Sequence, residues 1–166
     1  MKAPFRRPRL PAPPLYHPSS LIATWFGSGH LPWVPGTWGS LVALPIAWLL
    51  VEAGGRQVLA VAAVLAFLLG CWAAGAYERA TGGHDPGPVV IDEVAAQWCV
   101  LLVVPTDIVL YIVGFFLFRA ADIVKPWPAS VIDRRMQGGI GVMLDDVIAA
   151  AYAAAALYAI WWVIGT

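Results

Sequence analysis

The acidic residues of this chain fall into small groups, several of them beside cations or glycines. Asp92 and Glu93 are adjacent, as are Asp145 and Asp146; Asp122 stands three residues before Lys125, and Asp133 directly precedes Arg134 and Arg135. Carboxylate oxygens are what a hard divalent cation such as magnesium takes up, with water and phosphate oxygens completing its shell. Cations close by neutralise phosphoryl oxygens and developing charge. The block from Phe118 to Asp146, FRAADIVKPWPASVIDRRMQGGIGVMLDD, carries four carboxylates and the four cations Arg119, Lys125, Arg134 and Arg135 between long apolar runs. The chemistry expected of such a block is metal-dependent hydrolysis of a phosphate ester on a lipid at the membrane surface.

Each group has a plainer reading. Acids just ahead of an apolar helix cap it and complement its dipole. Asp122 and Lys125 suit a surface ion pair within one helical turn. What favours a site is convergence, and convergence depends on how the apolar runs are folded.

Those runs dominate the chain. Of its 166 residues 60% are hydrophobic and only 12% charged, against about 25% charged in soluble domains. An integral membrane protein is expected. Lys2, Arg6, Arg7 and Arg9 open the chain among prolines 4, 8, 11, 13 and 14, so residues 1–17 read as a disordered basic cytoplasmic tail rather than a signal peptide. Residues 18–166 read as one membrane domain. Cys71 and Cys99 lie in apolar runs without neighbouring histidines and read as packing residues.

Apolar spans are expected over 41–51, kinked at Pro45, and over 57–77, joined by the polar turn EAGGR at 52–56. The run 94–118 decides the topology. As one span it would place the acids at 92–93 and those at 122–146 on opposite membrane faces. Pro105-Thr106-Asp107 interrupts it at its middle, which is poor company for a helix centre in lipid. A hairpin is therefore expected, with arms near 94–104 and 108–118, each roughly 17 Å long by helical rise. Arms that short must be re-entrant or shielded by neighbours. The last span is expected over about 147–165. This gives an all-α, polytopic helical bundle whose polar segments share the cytoplasmic face, in agreement with the positions of Arg119, Lys125, Arg134 and Arg135.

In FGSGHLPWVPGTWGS, 26–40, the glycines and the hydroxyls of Ser28, Thr37 and Ser40 suit an anion cradle, or simply tight turns and close packing. His30 and His84 read as loop or interfacial residues.

With these segments in view, the sequence resembles the phosphatidylglycerophosphatase A family. The likeness rests on LIATWFGSGHLPWVPGTWGS (21–40), DPGPVVIDEVAAQW (85–98), FRAADIVKPWP (118–128) and DRRMQGGIGVMLDDVIAA (133–150). One departure is the pair Ala95-Ala96, where the family pattern leads one to expect a glycine. The resemblance implies removal of the terminal phosphate of phosphatidylglycerophosphate in the bacterial inner membrane, with Mg2+ as cofactor and the site facing the cytoplasm. Within that frame Asp92, Glu93, Asp122, Asp145 and Asp146 are the expected metal ligands, and Asp133 is a lesser candidate. Asp92, Glu93, Asp122, Lys125 and Asp146 are the expected catalytic residues. Lys125, Arg119, Arg134 and Arg135, with Thr37 and Ser40, are expected to hold the phosphate. The partner is a membrane phospholipid and not a nucleic acid; the sequence leaves the oligomeric state open.

Other lipid-phosphate enzymes fit less well. A haloperoxidase-like phosphatase needs a second histidine in an Arg/His/Asp setting downstream of GSGH, and His84 has none. A CDP-alcohol phosphotransferase spaces its last two aspartates by three, whereas Asp145 and Asp146 are adjacent. The rival from another class is a non-catalytic ion-binding or small transport protein, for which the intramembrane Asp107 would be the natural residue.

Overall fold

The computed structural model describes residues 11–83 and 86–165. The basic run at positions 2–9, His84 and Asp85 lie outside the described residues. Regular structure among the described residues is wholly helical: α1 (Pro18–Ala23), a 3-10 turn (Ser28–His30), α2 (Pro35–Thr81), α3 (Ile91–Leu101), α4 (Ile108–Val124), α5 (Ala129–Arg135) and α6 (Gly139–Gly165).

α2 has 47 residues, about 70 Å if it ran straight. It does not. Non-helical torsions interrupt it at Gly54 and at Gly55, whose φ of +75° and ψ of −179° are open essentially to glycine alone. A Cβ on Gly39 would lie 2.9 Å from the Val90 side chain, while one on Gly70 would lie 3.3 Å from that of Ile91. Two positions that a straight helix would hold about 46 Å apart thus meet consecutive residues. The chain folds back at the expected EAGGR turn. Pro45 makes no comparable break, since the only non-helical torsions inside α2 are at the two glycines.

The first arm begins at Pro35, six residues ahead of the apolar run, because proline at the first helical position brings the required φ with it. PGTWGS is therefore helix rather than turn. α1 likewise starts on a proline, Pro18, with Ser19 and Ser20 inside it.

The hairpin is present. α3 ends at Leu101 and α4 starts at Ile108, where Oδ1 of Asp107 accepts hydrogen bonds from the backbone N–H groups of Val109 (2.8 Å) and Leu110 (2.9 Å). Asp107 is an N-cap. α4 runs on to Val124, past the expected end near 118, and stops at Lys125 in the left-handed region (φ +46°, ψ +66°). α6 begins at Gly139 rather than near 147. A Cβ on Gly139 would fall 1.9 Å from the Cys71 carbonyl oxygen, so α6 crosses the second arm of α2 where only glycine fits. The string GIGVMLDD forms its opening turns, just after Gly138, and Asp145 and Asp146 are helical.

α3 is the central element: nine of its eleven residues are buried. On one side Ile91, Val94, Trp98 and Leu101 pack with Leu59, Tyr77 and Met143. On another, Ala96 and Val100 pack with Leu110, Phe118, Ala149 and Leu157. The Trp98 indole N–H donates to the Ala43 carbonyl at 3.0 Å, a buried link from α3 to the first arm of α2. Among the described residues two helices, Pro35–Thr81 and Gly139–Ile164, are long and apolar enough to cross a membrane. Their outer faces expose Val61, Leu65, Leu68, Trp72, Trp162 and Val163, a surface suited to lipid.

Candidate active site

Four helices deliver the polar groups. The first turn of α3 brings Asp92 and Glu93, where negative charge is favourable at a helix start. The last turns of α4 bring Arg119 and Asp122, three apart and so on one face, followed by Lys125. α5 adds Asp133, and the second turn of α6 adds Asp145 and Asp146. They meet at a cavity of about 110 Å³ lined by Gly87, Val89, Asp92, Glu93, Asp122, Lys125, Asp133, Gly141, Val142, Asp145 and Asp146. Six carboxylates and one ammonium face it.

Its acids are well removed from water: Asp92 is 7%, Asp122 9%, Asp145 4% and Asp146 4% exposed. Oxygen atoms of Asp92, Glu93 and Asp146 all lie within 4.8 Å of one another, and Oδ2 of Asp146 is buried with no hydrogen-bond partner among the described residues. Like charges this close and this dry repel strongly, so the arrangement calls for a cation between them. The donors are all oxygen, with no histidine or cysteine in the cluster, which fits a hard divalent ion such as magnesium, calcium or manganese.

Lys125 supplies the cavity's own positive charge. Its ammonium donates to Asp133 Oδ1 (2.8 Å) and to Asp145 Oδ2 (2.5 Å). Burial works against that charge, but the hydrogen bonds and attraction from Asp133 and Asp145 outweigh it and hold the lysine well above its usual range. The left-handed backbone at Lys125 is usually a glycine's place at a helix C-terminus. A lysine there costs about 1–2 kcal/mol of backbone energy, so its side chain is what the position serves. The expected pair between Lys125 and Asp122 is not the one formed. Asp122 instead pairs with Arg119.

Arg119 Nη1 lies 2.8 Å from Asp122 Oδ2 and 3.7 Å from Glu93 Oε1. It bridges the acids of α4 and α3 from behind and does not line the cavity. Of the remaining expected phosphate contacts, Ser40 is fully buried and donates to the Gly36 carbonyl one turn back at 3.0 Å. Thr37 is half-buried and away from the cavity lining. Arg134 and Arg135 are exposed at the end of α5, with Arg134 Nε donating to the Ser130 carbonyl at 2.8 Å. None of these four is brought to the cavity. His30 is exposed in the 3-10 turn.

One feature of the site is underweighted by sequence reasoning, which makes Asp133 only a lesser candidate, and another escapes it. Asp133 is a full member, because the Pro-Trp-Pro turn after Lys125 returns α5 to the lysine's side, and no periodicity announces a partner eight residues away. Gly36 abuts Glu93: a Cβ there would fall on the Glu93 carboxylate. Its only trace in the sequence is a glycine where a helix is starting.

The chain matches the family model described as Phosphatidylglycerophosphatase A over residues 21–161. It is 38% identical to a phosphatidylglycerophosphatase A of Haemophilus influenzae over 152 residues, covering 90% of this chain and 93% of that protein. It is 38% identical to the phosphatidylglycerophosphatase A of Escherichia coli K12 over 143 residues, 86% of this chain and 83% of that one. A Bacteroides thetaiotaomicron protein bearing the name "Putative phosphatidylinositol-3-phosphatase" is 40% identical over 152 residues, 87% of this chain and 94% of its own length. No solved structure matches. With the family match spanning the helices that build the cavity, and relatives covered nearly end to end, this chain belongs to the phosphatidylglycerophosphatase A family.

Proposed function

We propose that this protein hydrolyses phosphatidylglycerophosphate to phosphatidylglycerol and inorganic phosphate, with magnesium held by Asp92, Glu93 and Asp146. The observation that carries the reading is the close approach of those three carboxylates beside a lysine already committed to a buried charge. In the reaction a water oxygen bonds to phosphorus, the bond from phosphorus to the glycerol oxygen breaks, and that oxygen leaves with a proton. Bound magnesium would contribute Lewis acidity toward the phosphoryl oxygens and the attacking water.

The chain's own residues do the rest. Asp122 and Asp145 extend the acidic wall and, together with Asp133, set the position of Lys125 and Arg119. Lys125 points its ammonium into the cavity and exchanges part of its contact with Asp133 for a phosphoryl oxygen when substrate arrives. Arg119 fixes Asp122 and Glu93 rather than touching phosphate. Arg134 and Arg135, exposed next to Asp133, draw the anionic headgroup toward the membrane surface.

The same reading places the cavity on the cytoplasmic face of the inner membrane. The two arms of α2 and α6 cross the bilayer, α3 and α4 form a shielded hairpin, and residues 1–17 form a basic tail ahead of one membrane domain. The transport alternative loses the residue it most needs, since Asp107 is occupied as a helix cap.

Protein purified in detergent should release phosphate from phosphatidylglycerophosphate with magnesium and stop on chelation. Intact lipid under those conditions refutes the activity. Cysteines placed at Gly83 and Ser130 should be labelled from the same membrane face; labelling from opposite faces refutes the topology.

A further inference from the structure

Gly36 stands in the first turn of α2, within PGTWGS, in ordinary helical conformation. Nothing about its backbone asks for glycine, and alanine is the better helix former. Its surroundings do ask for it. A Cβ at this position would lie 1.8 Å from Oε1 of Glu93, 2.7 Å from Cδ of the same carboxylate and 3.2 Å from Nη1 of Arg119. The gap left by the missing side chain is filled by the Glu93 carboxylate. That carboxylate is thereby held between the start of α2 and the Arg119 guanidinium, whose Nη1 is 3.7 Å from the same Oε1.

We infer that Gly36 is a positioning residue for the candidate metal site, its absent side chain forming the seat that fixes Glu93 against Arg119 and so aims Glu93 toward Asp92 and Asp146. This deepens the reading of Asp92, Glu93 and Asp146 as ligands and rests on it. It also reassigns the Gly/Ser-rich string: PGTWGS acts on the acids from behind and not on the phosphate, as the inward bond of Ser40 also indicates. Side chains supporting metal ligands typically govern metal affinity by roughly 10–100-fold, and a carboxylate displaced by a methyl group should show an effect of that order.

Gly39 provides the internal control. It lies one turn further along α2, where the atoms nearest a Cβ would be those of Val90, its side chain at 2.9 Å and its carbonyl oxygen at 3.1 Å, rather than a carboxylate. Gly36→Ala and Gly39→Ala both push α2 away from the segment at 90–93, but only the first touches a ligand. The experiment measures Mn2+ binding by titration on purified protein, with no lipid present, alongside thermal unfolding with and without the ion. Gly36→Ala should bind Mn2+ roughly 10–100-fold more weakly than wild type, and Gly39→Ala should lose thermal stability while keeping wild-type affinity. In the metal-free protein, Gly36→Ala should be destabilising with Glu93 present and neutral or stabilising in the Glu93→Ala background, where the room exists. That double variant also keeps the question open to measurement should Gly36→Ala alone fail to fold.

Unchanged Mn2+ affinity in Gly36→Ala overturns the seat, as does an equal loss in Gly39→Ala. If wild-type protein binds no Mn2+, the metal reading falls on its own account and the unfolding cycle decides the seat: coupling between positions 36 and 93 upholds it, additivity overturns it. Wild-type protein that binds Mn2+ yet does not hydrolyse the lipid refutes the proposed substrate and leaves the seat to the Gly36→Ala and Gly39→Ala comparison.

Discussion

The Lys125 ammonium lies 2.5 Å from Oδ2 of Asp145, a partner twenty residues away in sequence. The bond ties the C-terminal cap of α4 to the second turn of α6 and closes one wall of the cavity. Asp145 is 4% exposed, so removing the lysine leaves a buried carboxylate without its main counter-charge. Lys125→Met should cost about 1.5–3 kcal/mol of stability, the range for a hydrogen bond to a charged group, and about 10²–10³ in kcat, the scale of a lost electrostatic contact to developing charge. Lys125→Arg should restore little, because a planar fork does not replace a point charge shared between two carboxylates. Chemical denaturation and steady-state phosphate release check both.

The same contact sets a pH signature. Its folded-state pKa is raised above the unfolded value, so its contribution is complete below the ordinary lysine range and is lost only as pH climbs through the folded value. The stability difference between wild type and Lys125→Met should therefore stay flat from neutral pH to about pH 9. Thermal unfolding across that interval is the measurement; a difference that shrinks steadily from pH 7 contradicts the raised pKa.

Asp92, Glu93 and Asp146 repel one another until a cation joins them. Asp146→Asn should therefore raise the melting temperature in chelator while lowering it relative to wild type in magnesium, and should abolish turnover. Neutralising one member of a crowded acidic set typically relieves strain that function requires. Calorimetry with and without the ion gives the crossover. A variant less stable under both conditions would mean that the acids are held for structure alone.

Arg119 and the pair Arg134–Arg135 should separate cleanly. Arg119→Ala removes the bridge between Glu93 and Asp122 and should cost at least about tenfold in metal affinity. Arg134→Ala and Arg135→Ala, both exposed, should leave kcat within about threefold and act on KM in a salt-dependent way. Kinetics on mixed micelles at two ionic strengths distinguish the two classes.

Asp107→Ala should cost about 1 kcal/mol through loss of the α4 cap, and Asp107→Asn should recover most of it. Turnover of the folded protein should be unchanged in both. An Asp107→Asn variant that folds normally but is inactive would restore a functional role to this acid.

How much of this was readable beforehand follows from which residues carry their reasons locally. The return of the chain at Gly54–Gly55 and the interruption at Pro105–Asp107 are written in turn chemistry and in the price of charge in lipid, and both stand in the fold. The grouping of Asp92, Glu93, Asp122, Asp145 and Asp146 followed from that topology. The starts of α2 and α6 were hidden because PGTWGS and GGIG look like loops. Their glycines answer to distant atoms: Gly139 to the Cys71 carbonyl, Gly36 to the Glu93 carboxylate. Arg119 had the composition of a phosphate ligand and the placement of a brace. Ser40 looks equally available in sequence, and spends its hydroxyl on the helix that carries it.

The eleven residues of α3 span about 16 Å, too little to settle across a bilayer alone. A helix this short depends on its neighbours for cover. The α2 arms and α4 cover part of it, and α6, which follows them in the chain, packs on the remaining flank and brings Asp145 and Asp146 with it. The candidate site is thus completed only by the last helix: without the residues from Gly139 onward it would lack Asp145, Asp146 and the wall they form.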